Sequence, residues 1–349
     1  MDSVTHLFLG GAIAVALAPA KHRRMALLAG AVLNTLPDLD VLPLALVEDP
    51  VAVMTWHRGL THSLLVLPFM ALALWALVRD RLALFRDAPA RGFWIILACL
   101  LAHPLVDAFT VYGTQLFWPL PLAPAMWSSL FIIDPMFTLP LVVGCVLAFA
   151  WRDVDKGRRA ALLGFALSVG YLGWSQAAKW QVERVAADSL AAIGLEDAPR
   201  FSVPMPFNTV LWRVVAMTPE GFVEGEHSLW SDRGRPIRFR QYDSDHAALA
   251  AVDEHPPVQR LQWFTHGFLK AEEREGRLVL SDLRMGAEPD YTFRFAVAEG
   301  GSAAWRAIPP EQMEWPWESR RQLAGLWQRI WTAPADTGAA ATKSAAPVH

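Results

Sequence analysis

Apolar residues in the first half of the chain fall in six runs, roughly Leu7–Pro19, Met25–Val47, Ser63–Val78, Gly92–Tyr112, Leu130–Trp151 and Arg159–Trp174. Long uncharged runs of this kind predict the helices of a bilayer-spanning domain. The first and third are short for a full crossing, so they should tilt little, thin the bilayer or pack inside the bundle. The second is interrupted at Pro37-Asp38-Leu39-Asp40, where the proline should end or break the helix. Broken backbone at membrane depth survives only where it lines a cavity or is buried in protein. After about Val182 charges become frequent and mixed in sign. Stretches at Thr209–Ala216, Gly221–Ser228, Ile237–Tyr242, Arg277–Asp282 and Tyr291–Val297 alternate like strands between Gly, Pro and Asp turns. The pattern therefore predicts an α-helical polytopic membrane domain of about six apolar helices, followed by a small, mainly β extracytoplasmic domain. The expected boundaries are a helical domain over 1–182, a β domain over 199–309, a short amphipathic helix over 310–332, and a disordered tail over 333–349 rich in Ala, Thr and Pro.

The connections between runs alternate in charge. Lys21–Arg24, Arg79–Arg91 and Arg152–Arg159 are basic, whereas Glu48–Trp56 carries only acids and Gly113–Ser129 has no charge. The positive-inside rule then places the first, third and fifth connections in the cytoplasm, and the N-terminus and the C-terminal domain outside. The basic cluster follows the first apolar run instead of preceding it, so that run reads as a retained helix and not as a signal peptide. Tryptophans near the run ends (Trp94, Trp118, Trp127, Trp151, Trp174, Trp180) read as an interfacial belt.

Against this background the few polar residues stand out. From Gly92 to Trp151 the formal charges are Asp107 and Asp134 alone. His103 and Asp107 are four residues apart, which puts them on one face of a helix. His6, Asp38, Asp40, His57 and His62 also lie within or beside apolar runs. An acid in hydrocarbon costs about 2.5–3.5 kcal/mol on insertion scales, so each marks function by default. The charge-derived topology brings all of these to one membrane face. Two close carboxylates at Asp38 and Asp40 repel in low dielectric unless a cation neutralises them. In His57-Arg58-Gly59-Leu60-Thr61-His62-Ser63, the imidazoles are metal donors, and Arg58 suits a phosphate or carboxylate. Each piece has a plainer reading: a buried hydrogen-bonded pair for His103 and Asp107, a turn or cap for the Asp pair, a headgroup contact for Arg58, and a helix cap for Asp134 before Pro135.

Composition sharpens the picture. The 349 residues are 54% hydrophobic and 19% charged, with a net charge of -3 that gives no sign of nucleic-acid binding. Mean hydropathy is positive, +0.26. The two cysteines, Cys99 and Cys145, fall in apolar segments and read as buried thiols, not as a disulfide or a zinc motif. Nitrogen and oxygen donors without thiolate suit zinc first, with manganese or iron as the other candidates, and one to three ions.

At Thr5-His6, Asn34-Thr35-Leu36-Pro37-Asp38-Leu39-Asp40, His57–Ser63 and His103-Pro104-Leu105-Val106-Asp107, the chain resembles the YdjM-type family of inner-membrane proteins, regarded as membrane-bound metal-dependent hydrolases. The order of His and Asp is also distantly similar to zinc-dependent phospholipase C. These resemblances imply an ester or phosphoester substrate and do not cover the β-rich region. The sequence reading is thus a metal-dependent hydrolase of the bacterial inner membrane. It would act on a lipid or lipid-linked substrate at the outer face. His6, Asp38, Asp40, His57, His62, His103 and Asp107 would be metal ligands, with Asp134 or Asp40 as general base and Arg58 holding the anion. The rival is a non-enzymatic membrane protein with a structural or sensory metal site and a protein-binding outer domain. No protein partner is indicated.

Overall fold

The structure, a computed structural model, describes residues 1–301, 304–314 and 319–334. The chain divides into two compact units, one of residues 1–48 and 53–175, the other of 49–52 and 176–349. The expected tail lies almost wholly outside the described residues.

The first unit is helical. Helix α1 (Ser3–Leu17) is capped by Asp2, whose carboxylate accepts from Thr5 N. Helix α2 (Arg23–Thr35) stops before Pro37, and the chain continues as a 3-10 turn over Leu36–Asp40 and a short α3 (Val41–Leu44). The predicted proline break is therefore present. Then come α4 (Pro50–Trp56), a 3-10 turn at Leu60–His62, α5 (Leu67–Val78), α6 (Ala83–Asp87), α7 (Pro89–Asp107), α8 (Pro135–Ala150) and α9 (Val154–Ala191).

The six apolar runs do not make six spanning helices. Among the described residues, two stretches are long and apolar enough to cross a bilayer, Ala20–Leu44 and Pro89–Asp107; a third exists if Pro50–His62 and Leu67–Val78, bent by 63°, count as one. Length is the reason. Helices α1 and α8 have 15 and 16 residues, about 23–24 Å, against a hydrocarbon core of about 30 Å. The outer surface of the unit is nonetheless apolar: Val32, Phe69, Leu72, Trp94, Leu139, Val143 and Leu163 are all exposed. Contiguous exposed hydrocarbon of this kind suits lipid, not water.

Small residues set the closest helix crossing. A Cβ on Gly10 of α1 would lie 2.1 Å from the carbonyl oxygen of Gly30 in α2, and a Cβ on Gly30 would lie 2.2 Å from that of Gly10. Only glycine permits this approach, the device by which membrane helices pack without a hydrophobic driving force. The crossing brings Asn34 of α2 to α1, where its amide nitrogen donates to the His6 carbonyl at 2.7 Å.

In the second unit the last turns of α9 bury Ala178, Val182 and Ala186 with Trp212, Val214 and Ile237. Strands β1 (Arg200–Pro204), β2 (Leu211–Thr218), β3 (Gly221–Ser228) and β4 (Arg240–Asp243) form one antiparallel sheet in that order. Helices α10 (His246–Ala251) and α11 (Pro256–Thr265) follow. A second antiparallel sheet, in the order β10-β9-β6-β5, comprises β5 (Leu269–Arg274), β6 (Arg277–Asp282), β9 (Arg294–Gly301) and β10 (Ala304–Gln312); β7 (Gly286–Ala287) and β8 (Asp290–Tyr291) pair separately. Helix α12 (Ser319–Trp331) comes last. Residues 310–312, expected in that helix, belong instead to β10. The C-terminal region is β-rich, with a buried charge pair at its centre: Arg213 donates to Glu224 Oε2 at 2.5 Å and to the Leu283 carbonyl at 2.7 Å.

A candidate metal centre among the helices

Asp38, His62, His103 and Asp107 each offer a donor atom within 4.8 Å of the other three. Four local features place them. The 3-10 turn after Pro37 presents Asp38, and the 3-10 turn at Leu60–His62 presents His62. Helix α7 carries His103 and Asp107 one turn apart, as the spacing predicts, with His103 Nε2 3.4 Å from Asp107 Oδ2. All but Asp38 are fully buried, and the Asp38 side chain keeps a quarter of its surface exposed. The group is closed on the helix side and accessible only at Asp38.

The spacing fits an ion. The two Nε2 atoms of His62 and His103 are 3.0 Å apart. Asp38 Oδ1 lies 3.4 Å from the first and 3.2 Å from the second, and Asp107 Oδ2 lies 3.5 and 3.4 Å from them. Four donors around a tetrahedral ion at about 2.0–2.2 Å are separated from one another by roughly 3.3–3.5 Å.

Proton positions agree. A carbonyl oxygen can only accept, so His103 Nδ1 donates to the Asn34 carbonyl at 2.5 Å. Thr61 Oγ1 donates to Asp40 Oδ2 at 3.0 Å and accepts from His62 Nδ1 at 3.0 Å. Both imidazoles then turn an Nε2 lone pair into the cluster, the tautomer that a metal-bound histidine needs. Two lone pairs 3.0 Å apart repel unless a cation lies between them.

His6 flanks the group. Its ring stacks on His103 with centroids 3.7 Å apart, and its Nε2 is 3.3 Å from Asp107 Oδ1. Neither ring nitrogen of His6 has a hydrogen bond, nor does Asp107 Oδ2, although all three atoms are buried. Orphaned buried polar atoms are costly, and a cation held by the four grouped donors would satisfy Asp107 Oδ2. The α-amino group of Met1 bonds Asp107 Oδ1. Arg58 holds a left-handed backbone (φ 62°), brings Nε to 3.4 Å from Asp107 Oδ2 and donates from Nη1 to Thr110 Oγ1 at 3.2 Å.

The remaining residues singled out in the sequence stand further back. Asp40 and His57 bond each other, His57 Nδ1 to Asp40 Oδ1 at 2.8 Å, and the second Asp40 oxygen also accepts from Arg58 N at 3.2 Å. Asp40 thus holds the loop that carries His62, and neither Asp40 nor His57 is one of the four grouped donors. Asp134 caps α8, accepting from Met136 N, Phe137 N and the Tyr171 hydroxyl. Its carboxylate is engaged there, which removes the ground for assigning it a base role. Asn34 and Thr61, which orient the two imidazoles, are not among the ligands expected from sequence. The Asn34 contact to His103 is made by its main-chain carbonyl and leaves no mark in the sequence, whereas Thr61 adjoins His62. Gln115 completes the frame, its backbone N donating to the Arg58 carbonyl and its amide to the Thr55 carbonyl.

Orienting residues are therefore testable. Thr61→Ala and Asp40→Asn are expected to weaken metal affinity roughly 10–100-fold, the usual cost of removing a group behind a ligand. Competition against a chromophoric chelator measures this, and an unchanged affinity would remove Thr61 and Asp40 from the site.

The chain is 25% identical over 319 residues to the uncharacterized protein YfhP of Bacillus subtilis (strain 168), an alignment covering 84% of this chain and 89% of that protein. No solved structure matches. Residues 1–182, which hold the complete cluster and every residue that orients it, match the profile of the YdjM inner membrane proteins, and the chain belongs to that family.

Proposed function

We propose that the protein is a metal-dependent hydrolase of the inner membrane, acting on an ester or phosphoester of a lipid or lipid-linked substrate. The single observation that carries this reading is the buried Asp38, His62, His103 and Asp107 group, with both imidazole lone pairs turned inward. A divalent ion held there, zinc being the best match to the donors, supplies Lewis acidity toward a substrate oxygen and acidifies water. The protein supplies the rest. Arg58, 5% exposed and already beside Asp107, binds the anionic oxygens of the scissile group and keeps them oriented. His57 donates a hydrogen bond from Nδ1 to Asp40, which leaves Nε2 as an acceptor on a ring that is one-fifth exposed. That makes His57, and not Asp134, the general base of this reading. Water loses a proton to His57 Nε2 as its oxygen bonds to the ester centre, and the imidazolium so formed returns that proton to the leaving alkoxide as the old bond breaks. The apolar outer surface of the helices gives a lipid substrate its path. In keeping with the charge alternation, the site faces the outside and the basic connections the cytoplasm.

His57→Gln is expected to lower turnover by roughly 10²–10⁴-fold, the range of a lost proton-transfer group, with metal content unchanged. Steady-state hydrolysis of a lipid phosphoester panel by the metal-loaded protein, alongside metal analysis, tests the reading. Absence of turnover on broad ester and phosphoester panels would overturn it. One observation favours the structural rival: four protein donors can close a tetrahedral shell. The exposed edge at Asp38 favours the enzyme, because a ligand at an accessible edge leaves room for water or substrate.

A further inference from the structure

A second polar feature lies at the opposite ends of the same helices. Lys21 and His22 both contact Asp87, at 2.6 and 2.9 Å. Arg23 donates to Asp155 at 2.7 Å, and Arg24 donates to the Trp151 carbonyl at 2.9 Å. The first, third and fifth connections, all basic, therefore meet. Between them is a cavity of about 350 Å³ lined by Ala16, Leu17, Ala18, Arg23, Arg91, Trp94 and Arg158. Arg91 and His103 are twelve residues apart on α7, so roughly 18 Å separates this cavity from the His and Asp cluster. It is not part of the metal centre.

Three guanidiniums face this cavity, and one carboxylate, Asp155, answers one of them. Arg23 Nε is buried with no hydrogen-bond partner. Arg158 directs Nε and Nη2 to the Ala16 carbonyl, and its Nη1 has no recorded partner among the described residues. Arg91 has no recorded hydrogen bond or ion pair there. Like charges gathered in a shared cavity repel, and among the described residues Asp155 is the one carboxylate paired with them. Exposed Trp94 adds an aromatic face at the rim, the usual companion of a headgroup-depth site. Guanidiniums converging from several helices match the planar, bidentate recognition of phosphate oxygens. Basic pockets between membrane helices are typical seats for anionic headgroups.

We propose that this cavity binds a phosphate group, supplied by the headgroup of an anionic phospholipid. This site would fasten the N-terminal ends of α2, α7 and α9 to the C-terminal end of α1, and it stands independently of the hydrolase reading.

The test uses the full chain, purified in a zwitterionic detergent. Its thermal midpoint and ligand-binding isotherm are measured with phosphatidylglycerol, phosphatidylcholine and inorganic phosphate. Phosphatidylglycerol is expected to raise the midpoint by several degrees, and phosphatidylcholine to leave it unchanged. Arg91→Gln should weaken phosphatidylglycerol binding about tenfold, as loss of one charge-assisted contact does, with metal content unaltered. Arg91→Lys, which keeps the charge, should recover part of it and guards against a merely misfolded variant. If millimolar phosphate reproduces the stabilisation and Arg91→Gln abolishes it, the phosphate site stands and a soluble phosphate is its source. Equal stabilisation by phosphatidylcholine, no stabilisation by either anion, or an effect indifferent to Arg91→Gln would overturn the proposal.

Discussion

Replacing His103 with alanine is expected to abolish stoichiometric metal binding. His103 Nε2 is 3.0 Å from His62 Nε2 and 3.2 Å from Asp38 Oδ1, so it sits at the middle of the donor set. Loss of a group that merely orients a ligand costs roughly 10–100-fold in affinity; loss of the ligand itself should exceed about 100-fold. Asp38→Asn should behave similarly, since it withdraws the negative charge while keeping the shape. The two variants separate the rival readings. A hydrolase loses metal and turnover but keeps a folded bundle, because Asp38 lies at the accessible edge of the group. A structural metal site loses the fold with the ion. Metal analysis together with a thermal melt of each variant reads both outcomes. Full metal occupancy in both variants would show that the four donors do not form one site.

The second large effect is expected far from any ligand. Gly30→Ala places a methyl 2.2 Å from the Gly10 carbonyl oxygen and 2.5 Å from the Ala14 Cβ. The nearest obstacle is backbone, so α1 and α2 must separate. Overpacking of this kind costs typically about 1–3 kcal/mol. The consequence reaches the site, because the same crossing lets Asn34 bridge His6 and His103. We expect a lowered melting temperature and weakened metal binding together. Gly170→Ala is the control: its added Cβ meets nothing within 4 Å, and alanine is the better helix former by up to about 1 kcal/mol. If Gly30→Ala melted like the parent, the close crossing would not be what assembles the centre.

The site was more legible than the fold. His103 and Asp107 could be paired from spacing alone, because a four-residue interval on an apolar helix leaves little freedom. Asp38 and His62 could be suspected, because polar groups in hydrocarbon need a reason. Choosing between Asp38 and Asp40 was beyond the sequence. The 3-10 turn decides it: at about three residues per turn, positions two apart point to different sides. Asp38 therefore reaches the cluster, while Asp40 reaches His57 and Thr61. Asp134 illustrates the converse, since the Asp-Pro pair that looked like a site is a helix cap.

Helix lengths were misjudged for a physical reason. Hydropathy reports where apolar residues are, not how far the helix extends, so the run Leu130–Trp151 reads as a span although α8 within it has 16 residues, while the first run, already short for a crossing, holds an α1 of 15. In the β region β3 and β6 match the bounds expected from sequence. Strand β10 was missed because Pro309 and Pro310 interrupt it. Its place at the edge of the sheet, with a register shift between Ala307 and Glu311, accommodates them. Strand β5, Leu-Lys-Ala-Glu-Glu-Arg, is too polar to show a strand pattern and is held by its pairing to β6.

On the proposed reading, four side chains drawn from nearly seventy residues of chain hold one ion among the helices. X-ray absorption at the metal edge of the purified, metal-replete protein tests it most directly. The expected result is one ion per chain, a shell of nitrogen and oxygen at about 2.0–2.2 Å with imidazole scattering and no sulfur, and loss of that signal in His103→Ala. A protein that retains no metal after repletion, or whose shell lacks imidazole, would contradict it.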